Sequence, residues 1–303
     1  MRVINTVQRY VRKPRKLIRT LGSKGYFNWM DDKTYLKLVY WGETKQKLNL
    51  NNPITFNEKV QWLKLYDRDI QYSKYADKYE VRNFVKDKIG EDYLIPLIGI
   101  YNSVDEIKWD YLPEKFVIKC THGSGSNIIC NNKSNLDINE STEKINTWMK
   151  KNWYWFGREW SYKNIKPRII CEKYMVDESG VELKDYKIFC FDGKPQLIQV
   201  DFNRFVHHKR NIYTTEWNFV DASIRYPNDA SVKIERPSNL EKMLELASKL
   251  SESIPQVRID FYSIKDNIYF GEMTFYHGSG FEEFEPKSLG VQMGQWIELN
   301  RVK

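Results

Sequence analysis

The chain has 303 residues, 41% apolar and 15% aromatic, enough to bury a sizeable core in two or three closely packed subdomains. It has no run of about 18 apolar residues, which excludes a spanning helix, and no apolar core of the signal-peptide kind near its start. Its net charge of +8 is matched by eight basic residues in segment 1–24 (Arg2, Arg9, Arg12, Lys13, Arg15, Lys16, Arg19, Lys24), which holds no acid. The rest is neutral overall and lacks the basic body of a nucleic-acid binder.

In that leader Val3, Val7 and Val11 recur at helical spacing, and Leu17, Ile18 and Leu21 continue the stripe after Pro14. A basic amphipathic segment of this kind can lie on an anionic membrane surface. The plainer reading is a solvated helix that caps the body. From Asp31 to Gly90 the pattern is helical. "TYLKLVYWGE", "TFNEKVQWLKLYDRD" and "ADKYEVRNFVKDKIG" place apolar residues at i, i+3, i+4, and Gly90 stands where a helix-ending glycine belongs. "DYLIPLIGIY" reads as a buried strand. "KFVIKC" and "NIIC" read as a hairpin around a glycine- and serine-rich loop. "STEKINTWMKKNWYWFG" reads as one helix opening near Ser141, and "PRIICEKYM" as a strand. "DYKIFCFDGKPQLIQVDF" is two strands about a tight turn at Asp192–Gly193. "SNLEKMLELASKLSES" is an amphipathic helix behind a Ser238 cap. "VRIDFYSIKDNIYFGEMTF" is a second hairpin turning at 265–267. This order is α+β, not a doubly wound sheet. Cys120, Cys130, Cys171 and Cys190 follow no CxxC spacing and sit in apolar runs, as reduced buried thiols of a cytosolic protein do.

The loop after Lys119 (His122, Gly123, Ser124, Gly125, Ser126, Asn127) is neither a Walker loop nor a dinucleotide loop. It is a hairpin tip whose backbone N–H groups can face phosphate oxygens, with Lys119 as a point charge beside it. A plain polar turn explains it as well. The second hairpin carries more weight. Asp260 and Glu272 stand among Ile, Phe and Tyr, where carboxylates are costly unless paired or bound to metal. The turn places them opposite each other on adjacent strands, an arrangement that suits Mg²⁺ and phosphate. Arg258 shares a face with Asp260. The alternative is an Arg–Asp–Glu cluster that only holds the sheet together.

These segments in this order are similar to the TupA-like ATP-grasp family, over about residues 50 to 285. The resemblance rests on "DKYEVRNFVKDKIGEDYLIPLIGIY", "LPEKFVIKCTHGSGSNII", "DYKIFCFDGKPQLIQV" and "FGEMTFYHGSGF". It implies two α+β subdomains gripping ATP and a carboxylate activated as an acyl phosphate. The resulting division is a basic segment 1–30, a helical region 31–112, a lid subdomain 113–172 and a C-terminal subdomain 173–303. By the same resemblance Lys119 contacts phosphate and residues 122–127 form the lid loop. Glu172, Lys173, Tyr174 and Met175 meet adenine and ribose. Asp185 and Lys187 are a D-x-K pair, and Arg258 stabilises the transferred phosphoryl. Asp260 and Glu272 hold metal, joined by Thr274 where many such enzymes have Asn.

The resemblance further implies a bacterial surface-polysaccharide pathway. A uronic acid or amino acid carboxyl would be joined to an amine of an amino acid or sugar. "WMKKNWYWFGREW", with Trp148, Trp153, Trp155 and Trp160, could grip an acidic glycan or bury its aromatics in a lid. Arg204, Lys209 and Arg210 offer an anion patch for the acceptor, beside His207 and His208, which as neighbours on an extended chain point to opposite sides and do not form a metal pair. A glycosyltransferase with a metal on Asp67-Arg68-Asp69 and a membrane-bound, non-catalytic binding protein are the rival readings.

Overall fold

The computed structural model describes residues 17–177, 183–202 and 207–301. Most of the basic leader (1–16) and Arg204 lie outside them. The first third is helical, as its periodicity requires: α1 (Leu17–Ser23), α2 (Asp32–Thr44), α3 (Phe56–Tyr66), α4 (Gln71–Ala76) and α5 (Val81–Lys88). Asp31 caps α2 by accepting from the Thr34 N–H at 3.0 Å. Thr55 and Glu58 form a capping box on α3. Tyr35, Leu36, Val39 and Tyr40 of α2 pack into a small cluster that also holds Phe281.

Arg19 belongs to this cluster rather than to a surface. Its guanidinium sits 4.0 Å from the Phe156 ring centroid, and burial lowers its pKa despite Glu43. It is therefore not free to meet a membrane. The continuous helix expected across residues 76–89 is broken. Asp77 stops it, because its Oδ1 accepts from the N–H groups of Tyr79 (2.8 Å) and Glu80 (2.9 Å) and starts α5 afresh.

The chain next builds a four-stranded antiparallel sheet from β1 (Leu97–Tyr101), β2 (Phe116–Cys120), β3 (Asn127–Cys130) and β4 (Ile169–Lys173), in the order β1-β4-β2-β3. Phe116, Ile118, Cys120 and Cys171 form its core with Ile145 of α6 (Ile138–Met149). The strand expected to be buried, β1, is an edge strand with Leu97 and Ile98 exposed. The long helix expected from Ser141 starts earlier, behind an Asp137 cap, and ends at Met149. The short α7 (Tyr154–Gly157) follows it.

The second sheet has six antiparallel strands. They are β5 (Asp185–Phe191), β6 (Lys194–Phe202), β7 (Lys209–Thr214), β8 (Phe219–Val220) and, after the short β9 (Ser223–Ile224), β10 (Val257–Ile264) and β11 (Asn267–Thr274). Their order is β11-β10-β5-β6-β7-β8, and β12 (Phe284–Glu285) pairs with β9. Positive φ at Asp192 and Gly193, and at Lys265 and Asp266, closes the two tight hairpins in the hand that matches strand twist. α8 (Leu240–Leu250) buries Leu240, Met243, Leu246, Ala247 and Leu250 on one face of this sheet. Its N-cap is Asn239 rather than Ser238. α9 (Lys287–Gln295) packs on α3. The α+β expectation holds, with the helices at the N-terminus. The face of the large sheet opposite α8 carries the charges.

Candidate active site

A cleft of about 460 Å³ is lined by the tip of the β2–β3 hairpin and by charged residues of β5, β6, β7, β10 and β11. Strand register orders these charges. Glu272 of β11 pairs with Asp260 of β10, which pairs with Lys187 of β5. Asp201 of β6 pairs with Arg210 of β7. Period-2 alternation puts each of them on the same face, so they form a row across the sheet.

Arg258 grips Asp260 as a fork, Nε to Oδ1 at 2.6 Å and Nη2 to Oδ2 at 2.7 Å. Nη2 also reaches Glu272 Oε1 and Thr274 Oγ1, both at 3.0 Å. Burial works against the Arg258 charge, but Asp260 and Glu272 outweigh it and raise its pKa. Burial likewise pushes the Asp260 carboxyl up, against Arg258 and Lys187. Nη1 of Arg258 donates to His277 Nδ1 at 2.7 Å, and His277 Nε2 lies 2.9 Å from Glu282 Oε2. Lys187 is ringed by Asp185 (2.5 Å), Asp260 (3.4 Å) and Asp201 (3.7 Å).

At the β11 edge Lys119 meets Glu172 Oε2 at 2.8 Å, and Arg82 holds the other carboxylate oxygen at 3.2 Å. Lys78 stands here too, and sequence reasoning missed it because its residues were read as mid-helix. The break at Asp77 puts Lys78 in non-helical backbone, with its ammonium on the Gly123 carbonyl in the hairpin tip. Burial lowers its pKa, with Glu272 acting the other way. The sequence signal was the cap pattern itself, Asp77 followed three residues later by Glu80.

In the hairpin tip Gly125 has φ +72° and open space around it, so conformation asks for glycine there. At Gly123 a Cβ would stand 2.0 Å from the Trp153 indole nitrogen, so close approach asks for it. Gly125, Ser126 and Asn127 line the cleft, and Ser124 is exposed. His122 does not line it. Its ring is buried beside the Trp148 carbonyl at 3.2 Å, and burial lowers its pKa. Lys173 is exposed and donates its N–H to the Pro96 carbonyl, while Tyr174 and Met175 are half-buried.

Arg210 enters the cleft, but Lys209, one residue earlier and hence on the other face, pairs with Asp229 outside it. His208 lines the cleft, stacked on Tyr226 with centroids 3.9 Å apart. The tryptophan-rich stretch does not line it. Trp148 packs on the small sheet's core, and Trp155 lies 4.3 Å from the buried Arg158 guanidinium. Asp67-Arg68-Asp69 is also elsewhere: Asp67 ends α3 and accepts from Tyr72 at 3.0 Å, and Arg68 pairs with Asp32.

Among the described residues no group of three or more His, Cys, Asp or Glu forms a metal cage. The donors at the row's end are the oxygens of Asp260, Glu272 and Thr274. They fit Mg²⁺, which takes one or two carboxylates and completes its shell with water and phosphate, and do not fit zinc.

Two α+β lobes closing on a cleft with lysines at one edge and paired carboxylates on its floor define the ATP-grasp class of enzyme. The sequence profile described as TupA-like ATPgrasp matches residues 58–298, and the chain belongs to that family. No curated protein matches it in sequence. Among solved structures it is similar to the D-alanine–D-alanine ligase of Helicobacter pylori, with 15% identity and a TM-score of 0.41, over 80% of this chain and 69% of that one. The Bacillus anthracis D-alanine–D-alanine ligase complexed with ATP gives 13% and 0.40, over 79% and 66%. The ATP-grasp ligase PsnB complexed with minimal precursor, Mg and ADP gives 9% and 0.38, over 90% and 74%. A transferase finds no support in these comparisons. No helix among the described residues is long and apolar enough to cross a membrane.

Proposed function

We propose that the chain is an ATP-dependent carboxylate–amine ligase of surface-polysaccharide biosynthesis, working through an acyl phosphate. The observation that carries this reading is one cleft with Lys78 and Lys119 at one edge and the Arg258–Asp260–Glu272 cluster beside them. Phosphoryl transfer is mostly positioning and charge neutralisation, and these residues supply both. A carboxylate oxygen of the first substrate attacks the γ-phosphorus, the bond to the β-phosphate oxygen breaks, and ADP leaves. An amine nitrogen then attacks the acyl carbon. The bond to phosphate breaks, and the departing phosphate takes the amine proton.

Lys78, Lys119 and the amides of residues 123–127 hold the phosphates. Arg258 and Lys187 meet the charge that develops on the transferred phosphoryl. Asp260, Glu272 and Thr274 would hold Mg²⁺, which neutralises phosphate charge when bound. The backbone of Glu172–Met175 would meet adenine at a recess lined by Val81, Leu94 and Phe270. That recess holds only about 10 Å³, so its walls must move to admit a base. The first substrate is a uronic acid in this reading, and the amine belongs to an amino acid or an amino sugar. Arg210 supports the acceptor end. Peripheral attachment through the basic leader is part of the proposal on sequence charge alone. Flotation on anionic vesicles, with and without residues 1–16, tests it.

The enzymatic test is ADP release from ATP and Mg²⁺ with a panel of uronic acids paired with amines. Release that needs a carboxylate, an amine and Mg²⁺ together supports the ligase. Release of UDP from a UDP-sugar, with none of ADP, overturns it.

A further inference from the structure

The row of charges has an order that separates the two substrates. Phosphate is held at the β11 edge, and the reacting phosphoryl belongs beside Arg258. What remains of the cleft lies over β6 and β7, where Arg210, His208, Arg225 and Tyr226 form the walls.

Arg225 is the unusual residue there. It follows β9 with φ +66°, a left-handed conformation that few non-glycine residues adopt and that the Glu283 carbonyl fixes by accepting its N–H at 2.9 Å. Its side chain is 57% exposed. Among the described residues its guanidinium makes one polar side-chain contact, Nη1 to Glu282 Oε1 at 3.3 Å. A guanidinium has five N–H donors, so most of its fork is open to the cleft. Arg210 is the opposite case. It is buried and engaged with Asp201 (2.7 Å), the Ile224 carbonyl (2.9 Å) and Glu282 (3.4 Å). The acids at this end, Asp201 and Glu282, are 4% and 9% exposed, so the surface it offers a ligand is cationic. The fork is also held in place. Tyr226 stacks on His208, and the guanidinium carbons of Arg210 and Arg225 each lie 5.0 Å from its ring centroid.

We propose that this end of the cleft binds an oxyanion carried by the amine substrate, so that the nucleophile is an amino acid or an amino-sugar phosphate rather than a neutral amine. The inference rests on the ligase reading and deepens it. Distance supports the assignment. Arg258 reaches Arg225 through His277 and Glu282 by contacts of 2.7, 2.9 and 3.3 Å. The two guanidinium groups therefore lie within roughly 13 Å, three contact lengths plus an imidazole and a carboxylate. A span of up to that length has room for an acyl group on the Arg258 side, then an amine, then an anion a few bonds further on.

The test is calorimetry on the full chain filled with Mg²⁺ and the ATP analogue AMPPNP. The titrants are the twenty protein amino acids, glucosamine 6-phosphate and glucosamine. An oxyanion-bearing amine should bind at least 10-fold more tightly than glucosamine, and the two charged arms tell carboxylate from phosphate. Arg225→Ala should weaken that binding 10-fold or more, Arg225→Lys less, with AMPPNP affinity within twofold and the melting curve retained. Arg225→Gln keeps the side-chain bulk and serves if the alanine variant does not fold. The proposal is overturned if glucosamine binds as well as the charged amines, if no titrant binds, or if Arg225→Gln binds as wild type. Failure of AMPPNP to bind the wild-type chain overturns the ligase reading instead.

Discussion

The two sheets that face the cleft are made of different material. The four-stranded sheet has a core of Phe116, Ile118, Cys120 and Cys171, and it brings to the cleft the hairpin tip and one lysine–glutamate pair at its rim. The six-stranded sheet buries six charges on the face it turns to the cleft: Asp185, Lys187, Asp201, Arg210, Arg258 and Asp260, each 8% exposed or less. Burying charge costs several kcal/mol per ion unless each finds a partner. A gripping element needs to bear little of that cost, and the small sheet buries one charge, Glu172, held by Lys119 and Arg82. An element that must stabilise charge appearing during a reaction bears more of it, because fixed partners need no reorganisation at that moment. We propose from this contrast that the small sheet serves affinity and the large one chemistry, and each half of that proposal can be broken.

The large sheet should give the largest effect. Arg258→Ala leaves Asp260 buried without its fork, and should cut ADP release by about 10²- to 10³-fold. The same change should lower stability by about 3 to 5 kcal/mol, the usual cost of removing one partner of a buried pair. Turnover per folded molecule and melting temperature, measured on one sample, separate the two. Early melting with normal turnover in the cold would make the cluster structural and erase the contrast. On the gripping side, Lys78→Ala and Lys119→Ala should each weaken ATP binding by about 10- to 100-fold, the worth of a charge-assisted hydrogen bond. Both proteins should stay folded. ATP affinity unchanged in folded Lys78→Ala would remove Lys78 from the phosphate end.

The sequence shows the large sheet's chemistry better than the small sheet's. Carboxylates between apolar residues are rare enough to announce themselves. Period 2 then placed Arg258 with Asp260, and the turn placed Glu272 opposite, as the register shows. The gripping side depends on events that periodicity does not record. Lys78 reaches the cleft because one Asp77 side chain restarts a helix. His122 leaves it because the imidazole finds the Trp148 carbonyl. Arg19 turns inward although its neighbours in sequence form a basic run, because Phe156 and Glu43 arrive from distant segments. Arg225 carries no motif and is made conspicuous only by its backbone conformation and by the acids buried behind it.

A finer test concerns the metal end of the row. Thr274 Oγ1 donates to Glu272 Oε1 at 3.1 Å and accepts from Arg258. A hydroxyl is a weaker cation ligand than an amide carbonyl. Thr274→Asn should therefore lower the Mg²⁺ concentration for half-maximal ADP release by a few-fold, with ATP affinity little changed. A higher or unchanged requirement would place Thr274 outside the cation's shell.

The smallest expected effect belongs to a carboxylate in neither sheet, and it checks that electrostatics at the cleft are not mere burial. Burial pushes Asp67 up to about 6, with Asp69 adding to it and the Tyr72 hydroxyl opposing it. Its folded value is above its unfolded one of about 4. The folded chain thus holds a proton that the unfolded chain has released between about pH 4 and 6, and stability must fall as pH rises through that window. Asp67→Asn keeps an acceptor for Tyr72 but cannot titrate. The melting temperature of wild type relative to Asp67→Asn should therefore drop from pH 4 to 6 and level off above. A shift of about two units corresponds to at most roughly 3 kcal/mol, and solvent reaching this half-buried side chain reduces it to about 1 or 2. ADP release at fixed pH should be the same in both proteins, because Asp67 lies outside the cleft. A melting difference that stays flat from pH 4 to 8 would show that burial alone does not shift a carboxylate here. Burial is also what raises Asp260, against Arg258 and Lys187, so the same account would then fail for the row.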